Sequence, residues 1–168
     1  TWQDFKTGGG SLTVGGKTTL EGATEASASV FTVCNPVSGL PFVLKLQDLE
    51  VAAAAKISSD NLGWAKVGDT FYGKGYSSNG GAGYGGQGGG KTRGASYGFA
   101  NAPYYPGSPS FVLTSTKNPK PDYRGGGAIR IDARDVTVNG MLTALASNRS
   151  GTAASGGGIF VTCREFTL

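Results

Sequence analysis

Residues 126–138 of this chain recur, without a gap, as residues 156–168. The first copy runs Gly126-Gly127-Ala128-Ile129-Arg130-Ile131-Asp132-Ala133-Arg134-Asp135-Val136-Thr137-Val138, the second Gly156-Gly157-Gly158-Ile159-Phe160-Val161-Thr162-Cys163-Arg164-Glu165-Phe166-Thr167-Leu168. Ile129 matches Ile159, Arg134 matches Arg164, Asp135 matches Glu165 and Val136 matches Phe166. A period of 30 residues is the mark of a stacked-repeat architecture. In the first copy, Ile129-Arg130-Ile131-Asp132 alternates apolar and polar residues as a half-buried strand does. An opposite-charge pair follows, and then a second alternating run. The first copy continues through the turn signal Asn139-Gly140 into Met141-Leu142-Thr143-Ala144. A unit of about three short strands and tight corners is one coil of a right-handed parallel β-helix. The expected fold is therefore all-β: a single β-helix domain over 1–168, with a Gly/Tyr/Pro-rich insertion at 73–110.

Earlier stretches carry the same pattern less fully. Leu12-Thr13-Val14-Gly15-Gly16-Lys17-Thr18-Thr19-Leu20 follows the plan of Val136 to Ala144, strand, corner, strand. Gln3-Asp4-Phe5 echoes the Arg134-Asp135 corner weakly, and 26–34 reads as a strand. Gln47-Asp48-Leu49 repeats the corner 87 residues before Arg134-Asp135-Val136, a spacing that suggests three coils of about 29 residues. The alanine-rich run from Leu49 to Ile57 favours helix by propensity, yet lies where the repeat places strand, corner and strand. The repeat predicts strand there.

Glycine, at 30 residues, displaces both apolar (38%) and charged (15%) residues, which suits a narrow stack of strands better than a wide globular core. The net charge of +4 is scattered, with no basic run to hold nucleic acid. No apolar run reaches membrane-spanning length. Without a histidine, the commonest general base and zinc ligand are missing, and neither a metal site nor a cofactor is expected. The sequence has no initiating Met and no signal segment, as in a mature or excised piece. Cys34 and Cys163 end similar strands. If those strands occupy adjacent coils, the two residues are within disulfide reach, which fits an extracellular setting. Asn148-Arg149-Ser150 is an N-glycosylation sequon that agrees with secretion.

From about Gly73 to Gly94 the chain is a flexible linker by composition, or else a loop held on the flank by tyrosines. Gly85-Gly86-Gln87-Gly88-Gly89-Gly90-Lys91-Thr92 superficially matches a phosphate-binding loop, but lacks the strand before and the helix after that such a loop needs. Tyr76, Tyr84, Tyr97, Tyr104 and Tyr105 are the candidate contacts for a partner or a carbohydrate, whose C–H faces stack on aromatic planes. Gln87, Asn79 and Asn101 are available for sugar hydroxyls. The competing reading has the tyrosines packing the loop onto the flank. Arg130, Asp132, Arg134 and Asp135 share one coil, as lyase residues would. Alternation turns Arg130 and Asp132 outward, so a solvated charge ladder is expected and an enzyme is not.

The glycine-tyrosine loop, Tyr97-Gly98, Pro106-Gly107-Ser108, the Gly-Gly-Ala-Ile of 126–129 and the Val-Thr-Val-Asn-Gly of 136–140 resemble glycine-rich parallel β-helix regions of extracellular surface, adhesin and cell-wall proteins. That resemblance implies a secreted, non-enzymatic structural or adhesive module. A carbohydrate-binding wall domain is the alternative, and a polysaccharide lyase ranks third. The last residues stop mid-repeat. The open ends, marked by Trp2, Phe5, Phe166 and Leu168, are expected to meet a longer parent chain or another copy head to tail, forming filaments.

Overall fold

The computed structural model describes residues 11–22, 29–32, 40–64, 66–67, 70–71, 73–78, 80–111, 123–149 and 152–168. Among these residues there is no helix. The strands are β1 (Ser11–Leu20), β2 (Ser29–Thr32), β3 (Val43–Val51), β4 (Ala55–Ser58), β5 (Lys66–Val67), β6 (Thr70–Phe71) and β7 (Ser77–Ser78). They continue as β8 (Ser110–Phe111), β9 (Ile129–Val138), β10 (Met141–Thr143), β11 (Asn148–Arg149), β12 (Thr152–Ala153), β13 (Ile159–Thr162) and β14 (Glu165–Thr167).

Two parallel sheets carry the architecture. The larger has the order β1-β3-β9-β13, with β14 also paired to β9. The smaller has the order β10-β4-β2. The sheets advance together: β2 follows β1, β4 follows β3, and β10 follows β9. The repeat in the sequence is a strand register. Ile129 pairs with Ile159 and Ile131 with Val161, while Asp135 pairs with Glu165 and Val136 with Phe166. Parallel strands cannot be joined by a tight hairpin, so every step along the larger sheet requires a long connection.

The core follows from side-chain parity. Leu44, Leu46, Leu49 and Val51 of β3 are buried and stand beside Ile131, Ala133, Val136 and Val138 of β9. Residues on one face of a straight strand are two apart. Here both strands take a step of three, from Leu46 to Leu49 and from Ala133 to Val136. The shared odd step bends both strands at the paired Asp48 and Asp135. Ala55 and Ile57 of β4 complete the apolar cluster. Burying each Ile, Leu or Val contributes about 1.5–3 kcal/mol, enough to override local preferences. The alanine run shows this: it forms the end of β3, a turn at Ala53-Ala54 and β4. Asn139 and Gly140 stack on that turn, both N–H groups donating to Val51 O at 2.8 and 3.1 Å.

Two expectations change. Asp48 and Asp135 are immediate sheet neighbours, so their 87-residue spacing is a single step and not three coils. The described residues of 59–128 lie between the end of β4 and the start of β9, off both parallel sheets. Gly15-Gly16 is not a corner either. β1 runs through it with a register slip, Val14 opposite Leu46 but Lys17 opposite Asp48. Glycine-glycine marks a bulge as well as a turn, and β1 therefore lies level with Ile131 to Val138 instead of Val136 to Ala144.

The expansion at 59–128 has a core of its own, made of backbone. A Cβ on Gly157 would lie 1.7 Å from Gly127 O, and one on Gly126 would lie 2.0 Å from Ala144 O. Only glycine permits such approach. Serines satisfy the carbonyls left between these chains: the buried Ser110 Oγ donates to Gly80 O at 2.6 Å and the half-buried Ser155 Oγ to Gly83 O at 3.0 Å. The Gly-Gly-Ala-Ile motif is thus the place where the main sheets and the expansion meet backbone to backbone. β7 pairs with β8 in parallel, and β5 with β6 and β11 with β12 antiparallel.

A candidate binding site in the aromatic cluster

The expansion presents its aromatic residues together. Tyr104 stacks on Tyr105 with ring centroids 4.9 Å apart, and Tyr84 lies 5.0 Å from Tyr97. Trp64 joins them, 5.4 Å from Tyr97 and 6.3 Å from Tyr105. Phe99 is 6.3 Å from Tyr105. Phe160, on the face of β13 opposite Ile159 and Val161, closes the group 6.4 Å from Tyr104. Each such pair adds about 0.5–1.5 kcal/mol beyond its burial. The Gly158 N–H also donates to Tyr105 O at 3.0 Å, so the cluster rests on the main sheet at residues 158–160.

Of the expected contacts, Tyr84, Tyr97, Tyr104 and Tyr105 converge. Tyr76 lies on the same expansion and is 47% exposed. Trp64, Phe99 and Phe160 belong to the group but were not singled out in the sequence. For Phe160 the available signal was its outward parity in the repeat.

Two of the tyrosines are structural as well as lining. The Tyr97 hydroxyl donates to Pro106 O at 2.6 Å and accepts from Ser108 Oγ at 3.0 Å. Burial drives its pKa far above the ordinary phenol value, against the opposing bonds from Ser108 and Ser155. Burial raises Tyr84 likewise, while its hydroxyl accepts from the Tyr105 N–H at 3.3 Å. Both stay neutral and fixed. No hydrogen-bond partner for the Tyr105 hydroxyl occurs among the described residues. Gly73 and Gly98 have φ of +104° and +86°. A Cβ there would lie 2.5 Å from Trp64 Cε3 and 2.9 Å from Tyr84 Cε2 respectively. The rings therefore lie directly on backbone.

Two clefts share Tyr97, Gly98 and Phe99. One, of about 330 Å³, adds Trp64, Lys74 and Tyr105; the other, of about 470 Å³, adds Tyr84, Ser96 and Pro103. Both volumes fall in the range of small-molecule sites, about 300–1,000 Å³.

The charged corner lies elsewhere, on the bend of the larger sheet. Arg134 donates to Asp135 at 3.0 Å and to Asp48 at 2.7 Å, and Arg164 grips both oxygens of Asp135 at 2.8 and 3.1 Å. Arg130 and Asp132 meet at 3.4 Å. Arg134 is shared between Asp48 and Asp135, and Asp135 between Arg134 and Arg164, so these charges hold one another along the stack. Among the described residues no three His, Cys, Asp or Glu side chains gather as a metal site would require, and no helix is long and apolar enough to cross a membrane. The glycine-rich stretch ending in Lys91-Thr92 leaves both residues exposed, in a turn.

The remaining sequence candidates fall as follows. Strands β2 and β13 belong to different sheets. Cys163 is a free thiol, and Cys34 lies outside the described residues. Asn148 opens β11 of the short hairpin with β12; Ser150 of its sequon is outside the described residues. Phe166 and Leu168 are exposed, at 44% and 87%, while Trp2, Phe5 and Asn79 are outside the described residues. The chain matches no protein-family profile, and neither a curated protein nor a solved structure matches it.

Proposed function

We propose that this chain is a non-enzymatic extracellular module, structural and adhesive, built as a right-handed parallel β-helix that extends by adding strands at its open edges. One observation carries the reading. β1, β3, β9 and β13/β14 stack in parallel with their bends at one level, Lys17, Asp48, Asp135 and Glu165 in a column. The smaller sheet rises in step, so the sheets are two faces of a repeating coil, with residues 59–128 as one enlarged loop. The charged residues support the structural reading, because they serve the stack instead of converging on a reacting group.

Among the described residues, β1 and β13/β14 form the edges of the larger sheet. An open edge templates further strands. If β1 of a second copy continues the register over β13/β14, Lys17 faces Glu165, Leu12 faces Val161 and Leu20 covers Leu168. Such a contact is heterologous and does not close, so it grows filaments.

Light scattering and negative-stain electron microscopy over a concentration series test this. Growth that Glu165→Lys suppresses, and that Lys17→Glu with Glu165→Lys restores, is the expected result. A monomer unchanged at every concentration contradicts the self-assembling form of the proposal.

A further inference from the structure

We infer that the two clefts beside Tyr97, Gly98 and Phe99 form one binding site for successive rings of an oligosaccharide. The inference is independent of edge assembly, since the clefts lie on the expansion and not on β1 or β14.

Three observations point to a sugar. First, the walls are aromatic but incompletely covered: Phe99 is 57% exposed although it is held against Tyr105. A solvent-facing ring fixed by its neighbours offers a ready plane for the C–H face of a pyranose, whose weakly positive hydrogens suit the negative face of the ring. Second, the platform is set before any ligand arrives. Tyr97 and Tyr84 are anchored through their hydroxyls to Pro106 O and the Tyr105 N–H, and Gly73 and Gly98 let Trp64 and Tyr84 approach the backbone closely. Pre-set walls lower the ordering cost of binding. Third, polar groups remain at the edges of the aromatic surface. The Tyr105 hydroxyl and Lys74 ammonium border one cleft and the Ser96 hydroxyl the other. None of these three has a hydrogen-bond partner among the described residues. Apolar walls with a few open polar groups describe a site that holds a ring by its face and orients it by its hydroxyls. Because the clefts adjoin through three shared residues, the ligand that fits both is a chain of at least two rings.

Lys74 favours a sugar whose substituent facing it is anionic, a point that the choice of probe decides. The test is titration of the folded protein with chitohexaose, cellohexaose and hexagalacturonate, followed by calorimetry and by NMR saturation transfer to the sugar protons. Saturable binding of at least one probe is expected. Phe99→Ala and Tyr105→Ala should each weaken it about tenfold or more, and Tyr105→Phe by less. Lys74→Ala should affect hexagalacturonate most. Lys74 is exposed, so Lys74→Ala keeps its unfolding midpoint; Phe99→Ala lowers it only by the lost ring contact with Tyr105 and leaves filament growth unchanged. Absence of binding to all three probes overturns the inference. So does binding that survives both Phe99→Ala and Tyr105→Ala, which would place the sugar elsewhere.

Discussion

Arg134 on β9 donates to Asp48 on β3 at 2.7 Å, joining residues 86 positions apart in the chain. The contact exists because Asp48 and Asp135 are register partners on the neighbouring strands β3 and β9, which brings Arg134 beside Asp48. Arg134 is exposed and Asp48 half-buried, so the bond is partly screened by solvent and specifies register more than it stabilises. Asp48 beside it holds the Arg134 guanidinium charged still more firmly than usual. Arg134→Ala leaves Asp48 and Asp135 as neighbouring carboxylates. The expected result is a small fall in the thermal midpoint that shrinks as sodium chloride rises and screens their repulsion.

The apolar core behaves differently. Ile131 is fully buried between the Leu44 and Val161 positions of its neighbours. Ile131→Ala should cost about 2–5 kcal/mol in urea unfolding, through lost transfer energy and an unfilled cavity. Leu12→Ala, at the same level on the exposed edge strand, should cost a fraction of that.

Glycines divide into two kinds that composition cannot separate. Gly157→Ala would drive a methyl group into Gly127 O, and the expected outcome is loss of the folded state by circular dichroism. Gly85 has open space around its Cβ direction. Gly85→Ala should be neutral or stabilise by up to about 1 kcal/mol, by restricting the unfolded chain.

This division explains how far the sequence is readable. Ile129, Ile131, Val136 and Val138 alternate with polar residues because side chains build that core, so the repeat reveals the partners of β9 down to the residue. The described residues of 59–128 are held by glycine backbone and by Ser108, Ser110 and Ser155. Such packing leaves no hydropathy period, and the stretch resembles a linker by composition alone. The 87-residue spacing misleads for a related reason: the chain between β4 and β9 adds length, while β3 and β9 remain immediate neighbours in the sheet. In the candidate site, four tyrosines were legible as a group because they crowd one segment. Trp64 and Phe160 were not, since only the return of the chain brings them near.

Acid sensitivity should centre on Asp60. Burial raises its pKa, but bonds from Lys56 at 2.5 Å, the Leu145 N–H at 2.7 Å and Thr143 at 3.0 Å, with Ser58, outweigh it and hold the group below the ordinary value. A depressed folded pKa gives stability that is present above the unfolded value, about 3.9, and lost as pH falls through the folded one. Asp60→Asn should flatten the decline in thermal midpoint below about pH 4. An unchanged acid limb would assign that decline to other carboxylates.

The most direct test of the proposed coil is a register crosslink between Glu50 and Thr137, which are sheet partners. With Cys34 and Cys163 replaced by serine, Glu50→Cys and Thr137→Cys place two thiols on parallel neighbours about 4.8 Å apart, within disulfide geometry. Mild oxidation at low concentration should give an intramolecular disulfide, read by mass spectrometry of the proteolysed chain. The control Glu50→Cys with Asp132→Cys, five residues out of register, should give none. A disulfide in the control but not in the matched pair, or in neither, would contradict the stacking of β3 on β9 and with it the coil.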